Sequence, residues 1–177
     1  LGNKFNTNQV TDMSYMFCYT GYTKMTSLDL GNKFDTSKVT DMSSMFAYCG
    51  YTAMTELDLG NKFNTSQVID MSNMFRYCGY VAMTSLDLEA EFKQVIYEEG
   101  NNPFGNCGSN GNIKIYVHSD IYSNEHEFIT KVVDSEGNIT NGTLTFDRGT
   151  LVYNATLMQA SGEASATGAF LGNKNIK

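Results

Sequence analysis

The sequence is poor in proline, histidine and basic residues. Pro103 is its one proline, and 177 residues include two histidines. A chain with so little proline can form a regular backbone hydrogen-bond ladder with few breaks. Lysine and arginine number 12 against 19 acidic residues, which gives a net charge of −7. This balance, without any basic stripe, argues against a nucleic-acid partner.

Long apolar runs are also missing. No run approaches the ~18 residues that a membrane-spanning helix needs, so we expect no membrane span. No signal peptide is recognisable, and the chain starts at Leu1 in the middle of a predicted strand rather than at a methionine. We therefore expect a fragment of a longer array.

The sequence offers no set of catalytic residues. The serines recur with the repeat and have no histidine in register, and no glycine-rich phosphate loop follows a strand. His118 and His126 lie near Asp120, Glu125 and Glu127, but their spacing matches no zinc motif, so we expect a solvated loop. We predict that the protein is not an enzyme and holds no metal or cofactor.

A 29-residue unit repeats through the first two thirds of the chain. Its copies occupy 1–29, 30–58 and 59–87 without insertion or deletion, and a degraded fourth copy covers 88–117. A strict period of this length is typical of solenoid proteins, in which an atypical last repeat acts as a cap.

Each repeat contains two periodicities. The alternating end of residues 54–59 predicts a short strand that points Leu57 and Leu59 inward and Asp58 outward. Apolar residues spaced by three or four over 39–46 predict one face of a short helix or 3₁₀ turn, which Gly50 ends. The sequence therefore predicts an α/β repeat solenoid over residues 1–117, with a parallel strand and a short helical segment in every coil.

Residues 118–177 match no repeat. Segments 127–134, 139–146 and 150–158 alternate and are separated by turn signals, which predicts strands. We expect a small antiparallel β module of three or four strands that leans on the end of the solenoid.

The repeat resembles a known family. The Met-x-x-Leu-Asp-Leu block and the following Phe-Asp-Thr-Ser-Lys-Val-Thr-Asp-Met-Ser-x-Met-Phe-x-x-Cys block, over residues 1–117, are similar to the BspA-like leucine-rich repeats of bacterial surface proteins. This repeat is a few residues longer than usual, and Thr20 stands where later copies have cysteine. The resemblance implies a leucine-rich-repeat fold and a secreted or surface-anchored protein with a role in adhesion and protein binding.

Two sets of repeated side chains are candidates for a binding surface. Asp29, Asp58 and Asp87 are expected on the outward face of adjacent strands, either as a solvated charge ladder or as a ligand-facing strip. Tyrosines flank the end of each turn, and they stack structurally or form a binding strip. The tyrosine candidates for binding are Tyr22, Tyr51 and Tyr80, with Tyr19, Tyr48 and Tyr77 beside them.

The cysteines are expected to be buried free thiols. Cys49, Cys78 and Cys107 fall in one column, and three parallel side chains cannot all pair, while a spacing of 29 does not suit a zinc site. Cys18 lies two places off that column.

We therefore expect a non-enzymatic protein- or glycan-binding module of a secreted or cell-surface adhesin. The alternative is a structural spacer or assembly element, as in a virion fibre or cell coat, whose C-terminal β module makes the contacts. The partner is then an extracellular protein or glycan. The uncapped first coil offers an edge for self-association.

Overall fold

The structure is a computed structural model, and it describes residues 5–98, 100–111, 113–118, 121, 128–133, 136–144 and 151–154. The described part contains eight strands of three to six residues and one 3₁₀ helix at Ser109–Gly111. The strands are β1 (Ser27–Asp29), β2 (Glu56–Asp58), β3 (Ser85–Asp87), β4 (Val95–Glu98), β5 (Lys114–Val117), β6 (Phe128–Val133), β7 (Ile139–Leu144) and β8 (Leu151–Asn154).

The strands form three separate small sheets. β1 and β2 pair in parallel, with Leu28 opposite Leu57. A second sheet has the order β3–β5–β8 with both pairings parallel. The third has the order β4–β6–β7, in which β6 pairs in parallel with β4 and antiparallel with β7.

The prediction of an α/β repeat solenoid is wrong. The described residues contain no α-helix, and their strands lie in three small sheets instead of one continuous parallel sheet. The 3₁₀ helix in the degraded fourth repeat is the only helical element within these ranges.

The segment predicted as helical is a succession of turns. The N–H of Met45 donates to the carbonyl of Met42 in its own repeat, whereas the N–H of Phe46 donates to the carbonyl of Met74 in the next repeat. An α-helix would direct every N–H to the carbonyl four residues earlier. Because alternate N–H groups bond to the neighbouring repeat, the backbone here combines local turns with a ladder between repeats.

Left-handed residues hold this arrangement of turns. Ser44 and Tyr48 have φ values of 54° and 56°, and each is the third residue of a turn closed by an i to i+3 hydrogen bond. A positive φ at this position is the mark of a type II turn and is incompatible with a continuing right-handed helix. Equivalent residues in the first and third repeats, Tyr15, Tyr19, Asn73 and Tyr77, have φ values of 56–58°.

The core consists of columns of equivalent side chains, as the repeat predicts. The rings of Phe17, Phe46 and Phe75 follow one another with centroids 5.3–5.4 Å apart, and Phe104 continues the column at 5.3 Å. The prediction that the phenylalanine and methionine columns fill the core is confirmed for the buried residues Met13, Met42, Met45, Met71, Met74, Phe17, Phe46, Phe75 and Phe104. Met16 departs from it, because 38% of its surface is exposed.

The C-terminal strands lie within the predicted segments but pair differently. β6 and β7 form the expected antiparallel hairpin. However, β6 also pairs in parallel with β4, and β8 pairs in parallel with β5. An antiparallel module is therefore the wrong description, since the later strands join sheets that begin within residues 85–98. Within the described residues, no helix has the length and apolar character to cross a membrane.

Candidate functional site

Six tyrosines form a continuous aromatic surface, here called the tyrosine array. In one column the centroids of Tyr19 and Tyr48 are 4.7 Å apart, and Tyr77 follows at 4.9 Å. In the second column the corresponding steps are 4.8 Å and 5.1 Å. The columns touch each other, with centroids 5.3–6.2 Å apart between neighbouring rings. The members of the array are Tyr19, Tyr22, Tyr48, Tyr51, Tyr77 and Tyr80.

The turn structure sets the first column. The N–H of Tyr48 donates to the carbonyl of Arg76 at 2.8 Å, and the N–H of Tyr19 donates to the carbonyl of Ala47 at 2.9 Å. These bonds fix the backbone of one repeat against the next. Side chains at equivalent turn positions then stack, because both the register and the left-handed φ are shared.

The second column follows a glycine in each repeat. Gly50 has a φ of 53°, so it is left-handed, although among the described residues it does not follow the helix that it was predicted to end. The carbonyl of Tyr22 accepts the N–H of Thr52, and the carbonyl of Tyr51 accepts the N–H of Val81, both at 2.9 Å. The ladder between repeats therefore continues on both sides of the array.

The array is accessible to solvent along its length. Tyr19 is 59% exposed and Tyr22 is 37% exposed, and the other four rings are half-buried. Desolvation, reinforced by neighbouring phenols, raises the pKa of Tyr19 and of Tyr51 above its usual value. These groups therefore remain neutral hydrogen-bonding phenols well into the alkaline range.

A cation stands at one end of the array. The guanidinium carbon of Arg76 lies 5.6 Å from the centroid of Tyr77, and its Nη1 donates to Oδ1 of Asn73 at 3.3 Å. This geometry allows a cation–π contact. It also leaves an exposed positive side chain beside the half-buried rings.

The three candidate aspartates lie at the ends of β1, β2 and β3 and shape turns. Oδ1 of Asp29 accepts the N–H of Gly31 at 2.7 Å, and Oδ1 of Asp58 accepts the N–H of Gly60 at 3.0 Å. Oδ1 of Asp87 accepts the N–H of Glu89 at 2.9 Å. This bond to the residue two places on is the Asx-turn pattern. Each aspartate thus has a structural task, and its role in binding stays a prediction.

The contact between His118 and Asp87 was not predicted from the sequence. Its Nε2–H donates to Oδ1 of Asp87 at 2.7 Å, and the two side chains are only 12% and 11% exposed. The predicted solvated loop is therefore wrong for His118, while His126 and its acidic neighbours lie outside the described residues. The 31-residue separation from Asp87 carries no sequence signal, because it does not equal the repeat length.

Burial and charge act in opposite directions on His118. Burial lowers its pKa, but the hydrogen bond that it donates to Asp87 and the carboxylates of Asp87 and Glu89 outweigh this effect, so the pKa of His118 lies above its usual value. Oδ2 of Asp87 is buried with no hydrogen-bond partner among the described residues. This contact ties the end of β5 to the end of β3.

The cysteine column contains free thiols, as predicted. Cys49, Cys78 and Cys107 are buried, and Cys18 is half-buried. Burial raises the pKa of Cys78 well above its usual value and also raises that of Cys107. Such thiols are poor nucleophiles. Across the described ranges, no group of three or more histidine, cysteine or acidic side chains is arranged to hold a metal ion.

One protein-family model matches residues 2–95, which is more than half of the chain. Its description is "Mycoplasma protein of unknown function, DUF285". The family is associated with BspA-like repeat proteins. No curated protein and no solved structure matches the chain.

Proposed function

We propose that this chain, which belongs to the DUF285 family of Mycoplasma proteins of unknown function, is a non-enzymatic binding module that takes a protein or glycan ligand on its tyrosine array. We also propose a secreted or cell-surface location and a role in adhesion, as expected from the resemblance of the repeat to BspA-like surface proteins.

The observation that carries the proposal is the order of the tyrosine array. Tyrosine supplies a large contact area with a polar tip and few rotatable bonds. Here each ring is already stacked on its neighbours, with centroid separations of 4.7–5.1 Å within the columns. A ligand would therefore meet a surface whose side-chain entropy has already been lost, which favours affinity.

The tyrosine array suits binding better than catalysis. Desolvation raises the pKa of Tyr19 and of Tyr51, and the sequence has no histidine within residues 15–82. General acid–base chemistry near neutral pH needs a group whose pKa lies close to the working pH.

The test compares array variants with a matched tyrosine outside the array. Tyr48→Ser and Tyr51→Ser each remove one ring from the middle of a column, whereas Tyr15→Ser removes a ring that is 64% exposed and belongs to neither column. Binding to a panel of purified matrix proteins and glycans is measured by surface plasmon resonance. Loss of a central interface tyrosine costs about 2 kcal/mol, or roughly 30-fold in affinity.

Circular dichroism of each variant checks that the repeats remain folded. We expect the two array variants to lose affinity and Tyr15→Ser to keep it. Equal affinities for all four proteins would contradict the proposal. If binding instead depended on residues 128–154, the repeats would act as a spacer.

A further inference from the structure

The stacking in the tyrosine array restricts what a ligand can touch. Ring planes within the columns lie 3–25° apart, so the faces of the inner rings are covered by neighbouring tyrosines. A sugar that stacks on an open aromatic face, or a cation that sits over one, therefore finds no inner ring available. Edges and hydroxyls are what the array presents along its length.

The phenol hydroxyls are available for hydrogen bonds. The structure shows no hydrogen bond to any of the six hydroxyls from the residues it describes. A phenol both donates and accepts. The array therefore offers two rows of hydroxyls, one for each repeat in each column, and a ligand rich in oxygen atoms can satisfy them.

The spacing of the rows discriminates between polymers. Successive rings within a column are separated by 4.7–5.1 Å. An extended peptide repeats its side chains on one face about every 6.6–6.8 Å, so it falls out of step with the columns by about 2 Å per repeat. A polysaccharide carries oxygen atoms at every sugar ring, so it can offer hydrogen-bond partners to the phenols of successive repeats.

The segments that carry the tyrosine array differ in charge from the chain as a whole. The segments 15–24, 44–53 and 73–82, which carry all six tyrosines, contain no aspartate or glutamate, although the chain has 19 acidic residues. The charged side chains in these segments are Lys24, two residues after Tyr22 in the first repeat, and Arg76, next to Tyr77 in the third, and both are exposed. An anionic ligand is therefore better tolerated here than elsewhere on a protein of net charge −7.

We propose that the ligand of the tyrosine array is an acidic polysaccharide. Its chain runs along the two columns, its oxygen atoms bond to the phenol rows, and its carboxylate or sulfate groups pair with Lys24 and Arg76. This assignment rests on the proposed binding function and adds the class and direction of the ligand.

The experiment uses four polymers and the whole chain. Polygalacturonate and dextran sulfate carry carboxylate and sulfate groups on sugars, dextran is the neutral polysaccharide, and poly-L-glutamate is an acidic peptide. Binding is measured by isothermal titration calorimetry at low and physiological salt. We expect at least one acidic polysaccharide to bind more tightly than dextran and poly-L-glutamate, and its affinity to decrease with salt.

Variants then test the two components separately. Arg76→Gln and Lys24→Gln are expected to weaken binding by about two- to fivefold each, as for exposed charge pairs, while Lys33→Gln serves as an exposed lysine control outside the three segments. Tyr51→Phe keeps the ring stack and removes one hydroxyl, and Tyr15→Phe removes a hydroxyl outside the array. We expect only Tyr51→Phe of this pair to weaken binding.

The outcomes separate the two proposals. Poly-L-glutamate binding as tightly as the acidic polysaccharides would overturn the polysaccharide assignment, because charge alone would then explain recognition. Absence of polysaccharide binding, together with array-dependent capture of a matrix protein, would overturn this inference and leave the proposed function intact. Absence of any array-dependent ligand in either experiment would overturn both.

Discussion

Replacing Gly60 with alanine tests how closely the repeats approach each other. Gly60 has a φ of +74°, and a Cβ atom there would lie 2.4 Å from the carbonyl oxygen of Gly31 in the preceding repeat. That oxygen belongs to the backbone, so the contact is relieved only if one repeat moves away from the other. Left-handed strain costs about 1 kcal/mol and overpacking typically costs about 1–3 kcal/mol, so we expect a loss of about 2–4 kcal/mol.

Gly100 supplies the matched control. Its φ is +86°, but a Cβ atom there would meet nothing within 4 Å. Gly100→Ala therefore carries the left-handed strain without the clash, and part of the strain is offset by about 0.4–1 kcal/mol of lost unfolded-state entropy. Urea unfolding followed by circular dichroism gives both free energies of unfolding. Equal losses in the two variants would refute the close approach between Gly31 and Gly60.

Three further predictions concern titratable groups. Because the pKa of His118 is raised in the folded protein, its pairing with Asp87 stabilises the fold below pH 6.5, and this stability is lost as pH rises through the folded-state pKa. We therefore expect His118→Asn to flatten the pH dependence of the urea midpoint. In the native protein, Cys18 should react with a thiol reagent before the buried cysteines, which should react together only on unfolding; four equal rates would contradict this. Because Tyr19 and Tyr51 have raised pKa values, stability should also decline above pH 10, and phenolate absorbance should appear later in the native than in the unfolded protein.

The register of the repeats could be predicted from the sequence. Identical residues recur at a fixed interval, so stacking one repeat on the next places Phe17, Phe46 and Phe75 in one column whatever the local backbone is. The burial of these residues follows from the same argument. Periodicity between repeats is therefore a stronger signal than periodicity inside one repeat.

The local backbone could not be predicted, because turns and helices both bring residues three or four apart to one side. The decisive feature is the positive φ at Ser44 and Tyr48. A positive φ is uncommon for residues other than glycine. In the segment predicted as helical, Gly50 was therefore the one residue whose type indicated a positive φ. The predicted helix does not form because alternate backbone N–H groups donate to carbonyls of the next repeat instead of to carbonyls of their own repeat.

Part of the candidate site was also beyond sequence reasoning. The tyrosine columns were foreseeable, since the repeat places equivalent rings side by side, but the sequence left structural stacking and a binding strip open as alternatives. The contact between His118 and Asp87 links a repeat to a segment without repeats, and no spacing rule connects the two. The parallel pairing of β8 with β5 could not be predicted for the same reason, because paired residues of the two strands are 37 positions apart in the sequence.

The phenylalanine and tyrosine columns share one stacking geometry, and this affects the interpretation of the binding measurement. Buried Phe46 and Phe75 lie 5.3 Å apart, and half-buried Tyr48 and Tyr77 lie 4.9 Å apart. Stacked rings stabilise the repeats in both columns. In the tyrosine column, the hydroxyl also makes the partly exposed aromatic surface more polar, whether or not a ligand binds there. Loss of binding in a serine variant therefore mixes a missing ring with a loosened stack. A phenylalanine variant keeps the stack and lacks only the hydroxyl. Weaker binding by the phenylalanine variant is therefore sufficient to assign recognition to the hydroxyl.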